Sequence, residues 1–198
     1  MAHTRLLGGR TAVDFVNAIP PDSEIQWETL IDFLEATHIT PADRAAQLLA
    51  LPQSDPLVAE GLLLKARRLG SGLRKSFASL LHKQRIATEW IEPINEILRI
   101  TEGHDEIVPE AGGWRIEFIA REDGLAWLLA AVARSGAELI AEGAQARLRQ
   151  CANPQCGLFF YDTSRTRLRR WCSMAVCGNR NKVAAFARRR SSNRHSRS

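Results

Sequence analysis

Every cysteine of the 198-residue chain lies between Cys151 and Cys177, and the four fall as two C-x4-C-G half-sites, Cys151/Cys156 and Cys172/Cys177, fifteen residues apart. Thiolates are soft donors suited to zinc, and C-x4-C lies within the ligand spacing of one side of a zinc site. Four sulfurs closing a tetrahedron leave no open coordination position, so such a metal holds a fold together and does not activate water. Gly157 and Gly178 follow the second cysteine of each pair. A glycine there permits positive φ beside a sulfur, so the doubled spacing reads as two similar knuckles. Two disulfides are the competing use of four cysteines. The start MAHTRLLGGR carries no apolar signal core, however, and nothing else points to an oxidising compartment. An iron–sulfur cluster would use the same four donors.

Other chemistry is thin. The five histidines, His3, His38, His82, His104 and His195, stand alone without metal or triad spacing, and no P-loop or Rossmann glycine pattern occurs. With no activated water and no nucleophile–base pair, the chain is not expected to be an enzyme. No stretch approaches the ~18 consecutive apolar residues of a membrane span, so a cytoplasmic protein with no membrane partner is expected.

Charge divides the chain. Residues 147–198 hold 13 Lys or Arg against a single acid, Asp162, for a net of +12, whereas residues 1–146 hold 14 against 21, for a net of −7. A basic end on an acidic body is the footprint of a nucleic-acid-binding module carried by another domain. The candidates for contact with duplex DNA are Arg165, Arg167, Arg169, Arg170, Asn179, Arg180, Lys182, Arg188, Arg189 and Arg190. Most should meet phosphate, while Asn179 and Arg180, at the expected start of the last helix, are the candidates for reading bases. The same two positions also suit a helix cap and a support for the metal knuckle.

The run FYDTSRTRLRRWCSMAVCGNRNK, Phe160 to Lys182, resembles the CGNR zinc finger, with the tetrapeptide at Cys177, Gly178, Asn179 and Arg180 and the RRWCSM signature at Arg169 to Met174. In that family the finger ends a chain whose larger part is the ABATE domain. The LDFVNT-like motif of that domain is similar to Val13-Asp14-Phe15-Val16-Asn17-Ala18, with Val13 and Ala18 departing from it. The resemblance implies a bacterial transcription regulator. It suggests three parts: an ABATE-like helical domain over 1–145, a CGNR-type finger over 146–190, and a basic disordered tail over 191–198. The expected fold is mainly α with a small β-hairpin (α+β), followed by a treble-cleft-like or knuckle-type zinc finger.

The elements that must carry the finger are legible in outline. Residues 5–19 start with a Gly-Gly turn and an apolar run that suits a short strand or a first helical turn. Within it Asp14 and Asn17 suit capping or turn chemistry, or the wall of a ligand pocket for a small-molecule effector. Pro20-Pro21 breaks the chain, and Ser23 with Gln26 forms a capping box for a helix over 24–36 with Trp27, Leu30, Ile31 and Leu34 buried. Thr40-Pro41 and Asp55-Pro56 each start a helix. The second helix runs to about Gln84, with Gly70 and Gly72 marking a kink or a close contact and with Lys65, Arg67, Arg68, Arg74 and Lys75 expected on a solvated face. A helix over 89–100 follows, then a hairpin around PEAGG with one face, Trp114, Ile116 and Phe118, packed on helices. The last body helix ends at Gly143. Strands over 146–150 and 158–161 enter the finger, Asn179 N-caps a helix over 180–190, and Val183 and Phe186 face the metal core. Phe159, Phe160, Tyr161 and Trp171 are expected to pack on that core more than to stack on RNA bases. Two functions remain: a DNA-binding regulator, homodimer or monomer, controlled at the helical domain, and a zinc-stapled RNA-binding or protein-interaction adaptor.

The cysteine spacing leads to one structural Zn2+ per chain. Elemental analysis of anaerobically purified protein should find about one zinc, and Cys156→Ser should abolish it, since a structural zinc contributes on the order of 10 kcal/mol to folding a small module.

Overall fold

The computed structural model describes residues 6–19, 25–100, 103–110, 113–120 and 124–184. Pro20-Pro21, Ser23, Phe186, the Arg188–Arg190 run and the 191–198 tail lie outside them. The chain is mostly helical, with helices α1 (Thr11–Ala18), α2 (Trp27–Ala36), α3 (Ala42–Leu49), α4 (Leu51–Ser54), α5 (Pro56–Leu81), α6 (Thr88–Ile100) and α7 (Ala130–Glu142). An antiparallel hairpin, β1 (Gly103–Glu110) and β2 (Gly113–Ala120), stands between α6 and α7, and a second short pair, β3 (Leu148–Gln150) and β4 (Phe159–Tyr161), opens the finger.

The apolar run after Gly8-Gly9 is helix α1, and its Phe15 is fully buried edge-on against Phe33 of α2, with ring centroids 5.2 Å apart. Trp27, Leu30, Ile31 and Leu34 are buried as their spacing requires, and the Trp27 indole N–H donates to the Leu48 carbonyl at 2.9 Å, tying α2 to α3. Asp55 caps α5 as expected, its carboxylate accepting from the Val58 N–H at 3.2 Å with Pro56 at the first helical position. Thr40 does not cap. Pro41 takes that place in extended conformation, and the buried Thr40 hydroxyl has no partner among the described residues.

Helix α5 runs unbroken through its glycines. Gly72 is there for space: a Cβ would lie 2.5 Å from the Trp90 carbonyl oxygen, so α5 and α6 approach closely at that point. The small residues of α7 act in the same way, with Gly136 set against Leu73 of α5. Three of the cationic residues of α5 are engaged locally, while Arg67 and Lys75 are exposed as expected. Lys65 and Arg68 pair with Glu96 of α6, and Arg74 donates to the carbonyls of Val16 and Ile19 at the end of α1.

Three expectations change. The hairpin strands are longer than the sequence suggested, and Ile107, which pairs with Ile116 and so shares its face, is 70% exposed. The side chains of Trp114, Ile116 and Phe118 fall outside the described residues. The start of the last body helix is a 3-10 turn, Leu125–Leu129, before α7, while Gly143 ends α7 with φ +54 as expected. In the finger the helical segment begins at Met174, six residues before the expected start, so Asn179 lies inside it and not at its cap.

The glycines of α5 give a two-sided test. Gly72→Ala should destabilise the protein by about 1–3 kcal/mol through overpacking against backbone. Gly61→Ala, where a Cβ meets nothing within 4 Å, should stabilise it by about 0.5–1 kcal/mol. Urea unfolding of the two variants measures both signs.

Candidate metal centre and nucleic-acid interface

The finger is built on a hairpin and one helical turn. Cys151 follows β3, and its N–H donates to the Leu158 carbonyl at 2.9 Å, while the Cys156 N–H donates to the Asn153 carbonyl at 2.9 Å. Asn153 accepts the Gln155 N–H on its side-chain oxygen, and Gly157 takes φ +66 to return the chain to β4. This is the expected knuckle.

The second half-site is built differently. Met174–Gly178 form a π-helical turn, closed by the Gly178 N–H on the Ser173 carbonyl at 3.0 Å, and the segment continues as α-helix to residue 184. Cys177 lies in this turn, whereas Cys172 precedes it, ahead of Ser173 in extended conformation. Gly178 has no positive φ. A Cβ there would lie 2.8 Å from the sulfur of the half-exposed Met174, which would have to shift.

The four Sγ atoms lie within 4.8 Å of one another, with Cys156–Cys172 and Cys172–Cys177 both at 3.7 Å. A zinc–sulfur bond of about 2.3 Å gives a tetrahedral edge of about 3.8 Å, so the cluster has the dimensions of a four-thiolate zinc site. Cys151, Cys172 and Cys177 are buried. Burial pushes the Cys156 and Cys172 thiols up, neighbouring sulfurs adding to this at Cys172, while the hydrogen bond from the Asn153 amide draws Cys177 down. That amide approaches the Cys177 sulfur to 3.6 Å, so Asn153 joins the two half-sites.

A second hub is Asp162, the one acid of the basic segment, fully buried. Its carboxylate accepts from the Ser164 hydroxyl at 2.6 Å, the Ser164 N–H at 3.0 Å, the Arg169 N–H at 3.0 Å and the Arg149 guanidinium at 3.1 Å. Burial pushes its pKa up, but these donors outweigh burial and hold it below the ordinary carboxylate value. A depressed pKa contributes stability above the unfolded value and loses it as pH falls through the folded one. The Asp162 contribution is therefore intact at neutrality and lost only in acid.

Arg169 is placed as a brace. Its guanidinium bonds the carbonyls of Trp171 and Cys172 and lies 4.7 Å over the Phe160 ring, fixing the approach to the second cysteine pair. Arg165, Arg167, Arg170 and Lys182 are exposed. A groove of about 870 Å³ gathers Arg147, Arg149, Arg167, Arg169 and Arg170, with Glu142 and Asp162 also on its walls. Asn179 and Arg180 are not among the residues lining that groove. The Asn179 amide donates to Ala175 O at 3.2 Å, and Arg180 lines a second cleft of about 540 Å³ between the cysteine cluster, with Cys156, Cys172 and Cys177 in its wall, and Asn17, Thr29 and Asp32 of α1 and α2. Val183 is 70% exposed and does not face the metal, because the early helix start turns it outward.

Asp14 and Asn17 both do structural work. Asp14 is buried, accepts the Gly8 N–H at 2.6 Å, and has its pKa raised by burial against the backbone donors of Gly8, Leu7 and Gly9. Asn17 bonds both backbone groups of Phe159, donating to its carbonyl at 2.8 Å and accepting its N–H at 3.0 Å. Sequence reasoning missed Asn153, Arg147 and Arg149. The Asn153-Pro154 dipeptide is a turn signal, and two arginines at period two in a strand share a face.

The CGNR zinc finger profile matches residues 147–190, and the ABATE profile, described as "Putative stress-induced transcription regulator", matches residues 9–143. The chain belongs to the ABATE family. The ABATE match covers α1 to α7, and the CGNR finger carries all four cysteines. Among curated proteins there is no match. Among the described residues of this ABATE protein, no helix is long and apolar enough to cross a membrane.

Asn153→Ala should leave the four thiols in place but lower zinc affinity by about tenfold or more, the usual cost of losing a group that supports metal ligands. Competition with a chromophoric chelator measures it.

Proposed function

We propose that this ABATE protein is a cytoplasmic bacterial transcription regulator, not an enzyme, that grips duplex DNA with its CGNR finger. One structural zinc per chain sets the finger's shape. The observation that carries this reading is the arginine groove: Arg147, Arg149, Arg167, Arg169 and Arg170 line one depression and outnumber its acids, Glu142 and Asp162, with Arg165 exposed nearby in sequence. Such a density of fixed positive charge suits the phosphate backbone, which supplies orientation and most of the non-specific affinity. The cleft lined by Asn17 and Arg180 has a volume within the range of small-molecule sites and takes Cys156, Cys172 and Cys177 into its wall, so an effector held there would lie against the metal knuckles and alter how the finger rests on α1. Asp14, turned into the Gly8 turn, would act on that cleft only through α1.

Selection of bound sequences from a random duplex library by the zinc-loaded protein, with single-stranded RNA as competitor, tests the class. A defined duplex motif supports the regulator, whereas preference for the RNA supports the adaptor. Each of Arg165→Ala, Arg167→Ala and Arg170→Ala should flatten the salt dependence of duplex binding by about 0.9 in log–log slope while zinc content stays the same. Arg169→Ala should instead lower the melting temperature, because its guanidinium is bonded to the metal loop.

A further inference from the structure

The segment between Asp162 and Arg170 is stiff and carries an apolar side chain that the fold does not use. Asp162 receives the hydrogens of Ser164 at one end of the loop and of Arg169 at the other. The Arg167 N–H donates to the Ser164 carbonyl at 3.2 Å, closing a turn, and the Arg167 carbonyl in turn accepts from the Arg149 guanidinium. Arg167 sits at φ +52, a left-handed conformation uncommon for a residue with a side chain. The residue presented next, Leu168, is 73% exposed. Its neighbours Arg165, Thr166, Arg167 and Arg170 are exposed as well.

An isolated surface leucine needs no explanation. A leucine in a loop held by three of its own donors to one buried carboxylate, and flanked by outward arginines, is a different object. These bonds, with the turn at Arg167, set the backbone that presents Leu168 to solvent. The arginines on either side match the phosphates that border a minor groove, which minor-groove binders read with arginine and lysine. Apolar side chains in that setting insert between base steps and kink the duplex. Asn179, inside the finger helix and bonded to its own turn, and Arg180, which lines the cleft toward α1 and α2, are not among the residues of the arginine groove.

Resting on the DNA-binding reading above, we propose that the 163–170 loop enters the minor groove of duplex DNA and that Leu168 is a wedge that unstacks one base step and bends the duplex. The bend would favour flexible pyrimidine–purine steps, which kink most easily, so the loop would select sequence without hydrogen-bonding a base.

The test uses the full-length zinc-loaded protein and a duplex of about 30 base pairs with a central TA step, a fluorescent adenine analogue at that step and a donor–acceptor dye pair on its ends. Binding of the natural sequence should raise the analogue's fluorescence and shorten the end-to-end distance. Leu168→Ala should retain zinc, melting temperature and salt slope, yet bind several-fold more weakly and lose both optical changes, while Leu168→Met should keep them. If Leu168→Ala unstacks and bends the duplex as the natural sequence does, the wedge is overturned and DNA binding stands. If Leu168→Ala loses zinc or melts early, Leu168 is a structural residue and the wedge is likewise overturned. If the natural sequence binds no duplex even at low salt, the regulator reading fails and takes the wedge with it.

Discussion

Strand β4 belongs to two cores at once. Its alternation sends Phe159 into the helical body, where it meets Phe77 edge-on at 6.0 Å, and sends Phe160 into the cluster formed by Cys151, Cys172 and Cys177. Tyr161 returns to the body, where its hydroxyl donates to Glu142 and its ring lies under Arg10. Burying one such ring is worth roughly 1.5–3 kcal/mol, and opposite faces of a three-residue strand cannot be repacked independently. Asn17 completes the arrangement, pairing its amide with the backbone of Phe159 as a neighbouring strand would, and the Tyr161 N–H donates to the Gly8 carbonyl. The metal cluster and the helices are thereby coupled through a single stretch of backbone.

This coupling explains the Leu6–Ala18 segment. Gly9 takes φ +74, and a Cβ on Gly8 would lie 2.8 Å from the Asp14 nitrogen, so the double glycine turns tightly around the Asp14 carboxylate. The turn puts the Gly8 carbonyl against β4, and the helix that follows puts Asn17 there as well. The polar residues of this motif are spent on holding the finger, with Asn17 also reaching the edge of a cleft.

Within the finger, charge is organised by one buried carboxylate. Asp162 draws in Arg149 and the N–H of Arg169 and leaves Arg165, Arg167 and Arg170 pointing to solvent. A buried ion in this setting depends on full hydrogen bonding, and four donors provide it. Arginines that look equivalent along the chain thus divide into supports and contacts. Arg169 holds the carbonyls beside Cys172, and Arg170, stacked 5.4 Å over Trp171, remains accessible.

The sequence by itself picked out the four cysteines that cluster, because paired spacing leaves few geometric options. It also determined most helices, whose apolar period and proline starts are local signals, and the split between an acidic body and a basic end. It could not decide which face of a short strand meets which core, since Phe-Phe-Tyr reads the same in either register. Nor could it tell that Cys177 lies on a π turn while the first pair closes on a glycine turn, because the spacing alone fits both. The roles of Asn17, Asn153, Asp162 and Arg169 were decided only by the tertiary structure. Each makes a hydrogen bond, most of them to backbone groups, and backbone carries no signature in the sequence, so those partners exist only once the chain has folded.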